Sequence, residues 1–269
     1  MYIIHPTVTK SGEYGLGNQL FQIASSIGIA KDHNADFRVI GEWHNNKYFQ
    51  NKLPSLVGDL QVPVVIKESN FDYRPVVLPA DKSLIYLEGY FQSPKYFKEA
   101  EKEVRDAFEF KEEHITPVKQ YLDSANLGNT CSISVRRGDY VRLQHIHPLQ
   151  PDSYWVNAQN IIEKYKTIDT YVIFSDDIQW CQQNVHLFKA TGKKVVFFQG
   201  RTQIDDFIAI TLCKHNIITN STFSWWGAWL NKNTDKLVVM PKLWFGPVGP
   251  WSGPSQGADL RCLDWYITS

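Results

Sequence analysis

A chain of 269 residues, 43% hydrophobic and 21% charged, with a formal net charge of zero, is long enough for two moderate domains with separate cores. That balance excludes a disordered chain and a general polyanion-binding surface, so no nucleic-acid partner is expected and any anion site must be local. The four cysteines, Cys131, Cys181, Cys213 and Cys262, form no CxxC pair, which excludes a zinc ribbon and a dense disulfide framework and fits a reducing compartment.

The apolar run at the N-terminus is too short for a signal peptide, and no 18-residue apolar stretch exists to span a bilayer. The expectation is a cytoplasmic protein whose membrane contact is at most peripheral, at the inner face. Nine Trp, 13 Tyr and 15 Phe serve cores and sugar-stacking clefts alike, so composition does not choose between those uses.

In chain order, a strand at 2–4 leads through a glycine-rich turn to a helix over 18–32, with Leu20, Ala24, Ile27 and Ala30 on one face. Residues 41–79 are loop-rich and carry no periodicity that assigns them. A strand at 84–87 is followed by Ser93-Pro94, an N-cap and first-position pair that opens a helix to about 108. A polar helix over 112–125 and the turn Asn126-Leu127-Gly128-Asn129 divide the chain into domains 1–127 and 128–269.

Beyond residue 130 the pattern becomes regular. Strands are predicted at 130–135, 170–174, 194–198, 216–219 and 236–240, separated by helices over 152–166, 177–188, 202–214 and 223–231. Buried strands alternating with helix-length segments predict βαβ units and a parallel, doubly wound, Rossmann-like sheet.

In such sheets ligands bind at the carboxyl ends of the strands, and the unusual polar clusters all fall there. The first strand ends in Arg136-Arg137-Gly138-Asp139, the second in Ser175-Asp176-Asp177, the third in Gln199-Gly200-Arg201 and the fourth in Asn220-Ser221-Thr222-Phe223-Ser224. A guanidinium fork matches phosphate oxygens, so Arg136 and Arg137 suit a diphosphate; the alternative is ion pairing with acids on neighbouring loops. Asp176 and Asp177 suit helix capping as well as ligand binding. Carboxylates also suit magnesium, but no further ligands share their spacing, so no metal is expected.

Asn220, Ser221, Thr222 and Ser224 offer hydrogen-bonding groups at a helix start, good for a cap and for phosphate or ribose hydroxyls. Trp225, Trp226 and Trp229 behind them pack a helix on the sheet or, alternatively, form a sugar platform. The turn Gly15-Leu16-Gly17-Asn18-Gln19 lets backbone approach a ligand.

Jointly, GLGNQLFQIA (15–24), SVRRGDY (134–140), FSDD (174–177) and NSTFSWWGAWL (220–230) resemble the motifs of the family 11 glycosyltransferases, the α-1,2-fucosyltransferases, in order and spacing. The resemblance implies a GT-B-type α/β fold with two Rossmann-like domains, the C-terminal one binding the donor GDP-fucose and the acceptor entering between them. It implies an inverting reaction without metal or other cofactor, on a galactose-terminated oligosaccharide. Arg136 and Arg137 are then expected to hold the diphosphate, and Gly17, Asn18 and Gln19 to lie near fucose and acceptor, with Asn18 counted among the catalytic residues.

Ser134, Asp139, Tyr140, Asp176, Asp177, Asn220, Ser221, Thr222, Phe223 and Ser224 complete the expected substrate contacts. Ser134 departs from the family pattern, which has histidine there. Asp139 is the candidate general base, from its place on the rim, with His145, His147 and Glu13 behind it. Transfer of another sugar and glycan binding without catalysis are the competing expectations.

Overall fold

The computed structural model describes residues 1–5, 15–56, 62–79, 81–189, 191–200, 202–247 and 257–269. Glu13 and Arg201, both named among the candidate residues, lie outside the described residues. The chain forms two compact units, one of Met1–Lys111 with Pro250–Arg261 and one of Glu112–Gly249 with Cys262–Ser269.

The first unit contains β1 (Tyr2–Ile4), α1 (Leu16–Asp32), β2 (Asp36–Ile40), β3 (Ser55–Leu56), β4 (Val64–Lys67), β5 (Leu84–Glu88) and α2 (Glu101–Ala107). Its five strands pair in parallel in the order β3-β2-β1-β5-β4. Ser93 does act as an N-cap, accepting from the Lys95 amide ahead of Pro94, but the segment Pro94–Ala100 winds as a 3₁₀ turn before α2 begins. On the predicted face of α1 Leu20, Ala24 and Ala30 are buried and Ile27 is half-buried; Gln19, Gln22, Ser25 and Ser26 are buried too. Buried polar groups need partners, and the loop after β5 supplies them. Gln22 and Ser25 donate to the carbonyls of Gly89 and Phe91 at 3.1 and 2.8 Å.

The second unit runs α3 (Glu112–Ser124), β6 (Thr130–Val135), α4 (Asp152–Tyr165), β7 (Thr170–Ser175), α5 (Ile178–Gln183), β8 (Lys194–Phe197), α6 (Gln203–Leu212), β9 (His215–Ile217), α7 (Thr222–Leu230), β10 (Val238–Pro241) and β11 (Tyr266–Thr268). The division at Lys111/Glu112 differs from the boundary expected at 127/128. The polar helix α3 packs against α6 and so belongs to the second unit, not to the end of the first.

All six strands of this unit are parallel, in the order β8-β7-β6-β9-β10-β11. The chain winds outward from β6 to β8, returns to the other side of β6, and winds outward again from β9 to β11, which places a topological switch between β6 and β9. On one face Cys131, Ile133 and Val135 of β6 join Tyr154, Trp155, Ala158 and Ile162 of α4 in a dry core. Alternation puts Ser132 and Ser134 on the opposite face, where the Ser132 hydroxyl accepts from Asn216 at 2.8 Å.

Trp225, Trp226 and Trp229 are buried, with ring centroids 5.0–6.2 Å apart. They are core residues of α7, so the sugar-platform alternative has no exposed ring there to use. Among the described residues no helix is long and apolar enough to cross a membrane.

Candidate active site

Strand register opens the site. β6 pairs with β9 only as far as Ile133 and Ile217, whereas β6 and β7 stay paired through Val135 and Ser175. Beyond Ile133 the two central strands diverge, and a cavity of about 450 Å³ lies at their carboxyl ends. Val135, Phe174, Ile210 and Phe223 form its apolar wall, and Ser134, Thr202, Gln203, Asp206, Thr219, Ser221 and Ser224 its polar one, with Arg136 and Asp176 also on the lining. A hollow with an apolar wall and convergent polar groups at a switch point is the ordinary place for a small-molecule site in this class of fold.

Ser134 is 5% exposed, and its hydroxyl has no hydrogen-bond partner among the described residues. Leaving a buried hydroxyl unpaired costs about 1–3 kcal/mol, so the cavity presents a polar group open to water or to a ligand. Asp206, unremarked in the sequence, is the second informative group. One of its oxygens accepts from the Gly200 amide at 3.0 Å, and burial raises its pKa. It sits in the first turn of α6, beyond the Thr202 N-cap, where an acid carries no signal in the sequence beyond that of a helix start.

Both arginines are ion-paired. Arg136 meets Asp139 at 2.6 Å and Asp176 at 2.8 Å and lies over the Tyr140 ring; Arg137 meets Asp177 at 3.3 Å and lies 3.9 Å from the Trp180 ring centroid. Pairing with acids on neighbouring loops, the alternative to an open phosphate clamp, is therefore the observed arrangement. Two arginines face three carboxylates, so the cluster is not an open cationic clamp. Each fork keeps N–H donors beyond those bonded to the acids, and the Arg136 side chain is 38% exposed.

The acids have further work. Asp177 caps α5 by accepting from the Trp180 amide at 3.2 Å, and Asp176 accepts from the Arg137 amide at 2.9 Å. Asp139, the expected base, has one oxygen committed to Arg136. His147 stacks on Tyr140 with centroids 4.6 Å apart, and burial lowers its pKa, keeping the imidazole neutral.

Asn220 has its side chain bonded within the protein. Its amide nitrogen donates to the carbonyls of Pro148 and Trp244 at 3.0 and 3.1 Å, and its oxygen accepts from Gln150 and Thr219 at 3.0 and 2.9 Å. It clips loops together and does not line the cavity. The Tyr140 hydroxyl donates to its carbonyl at 3.0 Å, which ties the arginine loop to the same clip. Ser224 turns inward to the carbonyls of Ser221 and Thr219 at 2.9 and 3.2 Å. Ser221 is the N-cap residue of α7, yet its side chain makes no capping bond. Thr222 begins α7 beside Phe223 and is not on the lining.

Gly17, Asn18 and Gln19 stand at the start of α1 in the first unit. Gln19 is buried and accepts from Trp43 at 2.8 Å and Asn45 at 2.9 Å. Asn18 is only half-buried, and its side-chain oxygen accepts from Gln92 at 3.1 Å. Of the three, only Asn18 is not fully buried. Among the described residues no group of three or more His, Cys, Asp or Glu is arranged to hold a metal ion.

The profile of Glycosyl transferase family 11 matches residues 65–245, more than half of the chain. The chain is 27% identical over 267 residues to an alpha-1,2-colitosyltransferase of Escherichia coli, covering 86% of this chain and 90% of that one. It is 28% identical to a galactoside 2-alpha-L-fucosyltransferase of Caenorhabditis elegans, covering 86% of this chain and 71% of the relative. Its fold is similar to the solved structure of NodZ alpha-1,6-fucosyltransferase soaked with GDP-fucose, with a TM-score of 0.54, 14% identity, and 85% and 92% of the two chains covered. The mixed α/β fold agrees with that likeness, and the extent of the family match decides the assignment: this chain is a member of glycosyltransferase family 11.

Proposed function

We propose that the protein is an inverting α-1,2-fucosyltransferase that moves L-fucose from GDP-β-L-fucose to the 2-hydroxyl of a terminal β-galactoside. The arrangement would be that of a GT-B enzyme with two Rossmann-like domains, the second unit taking the donor and the first the acceptor side. What supports it most directly is the cavity at the β6/β9 switch, with its unpartnered Ser134 hydroxyl and its Asp206 carboxylate. A carboxylate accepts only, which suits the N–H edge of guanine. The names of the relatives, and the GDP-fucose in the similar solved structure, point to the same donor.

In this reading the acceptor oxygen attacks C1 of fucose from the face opposite the diphosphate. The C1–O bond breaks with its electron pair leaving on GDP, and the acceptor proton passes to a base. Asp139, on the arginine loop, is the candidate for that task, with His147, stacked on Tyr140, behind it. Arg136 and Arg137 meet the charge that develops on the diphosphate with the N–H groups their aspartates leave over, so no metal is required.

Colitose, the 3-deoxy relative of fucose, is the second reading, favoured by the match to the Escherichia coli colitosyltransferase. Transfer assays with GDP-fucose, GDP-colitose and UDP-galactose on lactose, with linkage determined by NMR, separate these. A 2-linked fucosyl product is expected. Turnover confined to GDP-colitose selects the second reading, and turnover confined to UDP-galactose overturns both.

A further inference from the structure

The loop after β5 combines unusual backbone angles with side-chain bonds from several elements. Gly89 has φ +155° and Phe91, which is not glycine, has φ +50°, a conformation that costs a non-glycine residue of order 1 kcal/mol and persists only where surroundings enforce it. They do so from three sides. His5, just past β1, and Gln22 of α1 both hold the Gly89 carbonyl, at 2.9 and 3.1 Å. Ser25 of α1 holds the Phe91 carbonyl at 2.8 Å. Glu68, just past β4, takes the amides: its two oxygens accept from Tyr90 at 2.7 Å and Phe91 at 3.0 Å. A Cβ on Gly89 would lie 2.4 Å from the Glu68 Cβ, so the glycine is what lets the carboxylate in.

The loop's next residue is Gln92, buried and donating to Asn18 at 3.1 Å. Resting on the proposal that Asn18 serves sugar transfer, we propose that Glu68 is a positioning residue: its ionised carboxylate clamps the strained Gly89–Phe91 backbone and thereby sets Gln92 and Asn18 for the reaction. Protonation turns one acceptor oxygen into a hydroxyl and removes the charge, so both amides lose a charge-assisted bond and one of them faces a poorer acceptor. The clamp therefore loosens on acidification.

The titratable groups around it leave Glu68 as the one that changes charge near neutrality. Burial pushes its pKa up to about 7, against the pull of the two amides. His5 is held neutral, its pKa lowered to about 3 by burial. Tyr96, whose pKa is raised to about 12, stays protonated. Tyr73 and Asp259 also act on Tyr96; Asp259 is paired with Lys95. Lys67 and Glu88, at the ends of β4 and β5, pair with each other at 2.9 Å.

The test is a pH series on the full chain, read twice. In the wild type the ¹⁵N amide resonances of Tyr90 and Phe91 are expected to titrate together near pH 7, and in Glu68→Gln they are expected not to move. Fixed resonances between pH 5.5 and 8.5 in the wild type would overturn the proposal whether or not the donor has been identified. In turnover, kcat of the wild type is expected to fall below pH 7. Glu68→Gln should be pH-insensitive there, with kcat lower by about 10- to 100-fold and donor KM within twofold. An acid limb that persists unchanged in Glu68→Gln, or a loss confined to KM, counts against it. Should Glu68→Gln not fold, the wild-type resonances decide, with Glu68→Asp expected to retain the titration. Absence of any fucosyl transfer by the wild type would defeat the proposed function, and the amide titration would then decide the role of Glu68 independently.

Discussion

Asp176 holds Arg136 and the loop that carries it with the two oxygens of one carboxylate, one 2.8 Å from Arg136 Nη1 and the other accepting from the Arg137 amide at 2.9 Å. Glycine at 138 is required by that contact, because a Cβ there would lie 2.4 Å from the Asp176 Oδ2 and 3.2 Å from its Cγ. Gly138→Ala should displace the carboxylate and unseat both arginines. Expected are a stability loss of about 1–3 kcal/mol by urea unfolding and a GDP affinity at least roughly 10-fold weaker by calorimetry, the equivalent of 1.4 kcal/mol. Unchanged GDP binding in a destabilised Gly138→Ala protein would separate the loop from the donor.

Exposed ion pairs contribute little to stability, so the arginine cluster should matter for rate rather than for folding. Arg136→Lys keeps a positive charge but loses the planar fork that must serve Asp139, Asp176 and a phosphate together. A fall in kcat of about 10²–10³ is expected, the usual cost of one preorganised donor, with the unfolding midpoint unmoved. Turnover in excess EDTA should equal that in magnesium if arginines alone neutralise the leaving diphosphate; loss of activity in EDTA would assign that work to a cation.

Ser134→Ala discriminates between a structural and a ligand role in a single variant. Because the hydroxyl is buried without a partner, removing it should leave the protein as stable as before or more stable by about 1 kcal/mol. The donor KM should rise about 10-fold through the lost contact, since hydrogen bonds to charged groups are worth about 1.5–3 kcal/mol. A KM unchanged in Ser134→Ala would mean that the hydroxyl faces no part of the donor.

The second unit is legible in the sequence because its central strands β6, β7, β9 and β10 are buried on both faces. TCSISV over 130–135 is β6 to the residue, and the rim clusters can be located directly from knowing where such strands end. The sequence does not tell whether Arg136 and Arg137 stand open or paired, since the acids that occupy them come from the loop after the neighbouring strand β7 and from the turn beyond β6. In the first unit β2, β3 and β4 escape a sequence assignment, as does β11 in the second, all short strands. β4 has the burial of a half-exposed edge strand and lies in a stretch with no helical or strand period. Glu68 is hidden with it: a lone glutamate carries no motif, and its partners are backbone amides 22 and 23 residues away.

Glu68 and His5 bias stability against pH in opposite senses. Glu68 in the folded protein has its pKa raised from 4.5 to about 7, so between those values the native state binds more protons than the unfolded one and stability falls as pH rises. His5 has its pKa lowered from 6.5 to about 3. There the unfolded state binds more protons, and stability falls as pH drops below 6.5. Between pH 4.5 and 6.5 the two slopes offset each other. Glu68→Gln removes one of them, so its Tm should rise relative to wild type at pH 8 and lose that advantage by pH 5, a relative change of roughly 2–6 °C. His5→Gln, whose amide can still donate to the Gly89 carbonyl, should gain on wild type as the pH is lowered instead. Differential scanning calorimetry at pH 5, 6.5 and 8 reads both, and parallel Tm curves for wild type and Glu68→Gln would show that Glu68 does not titrate between folded and unfolded states. An ionised Glu68 that costs stability at neutral pH is what a clamp kept for turnover would look like.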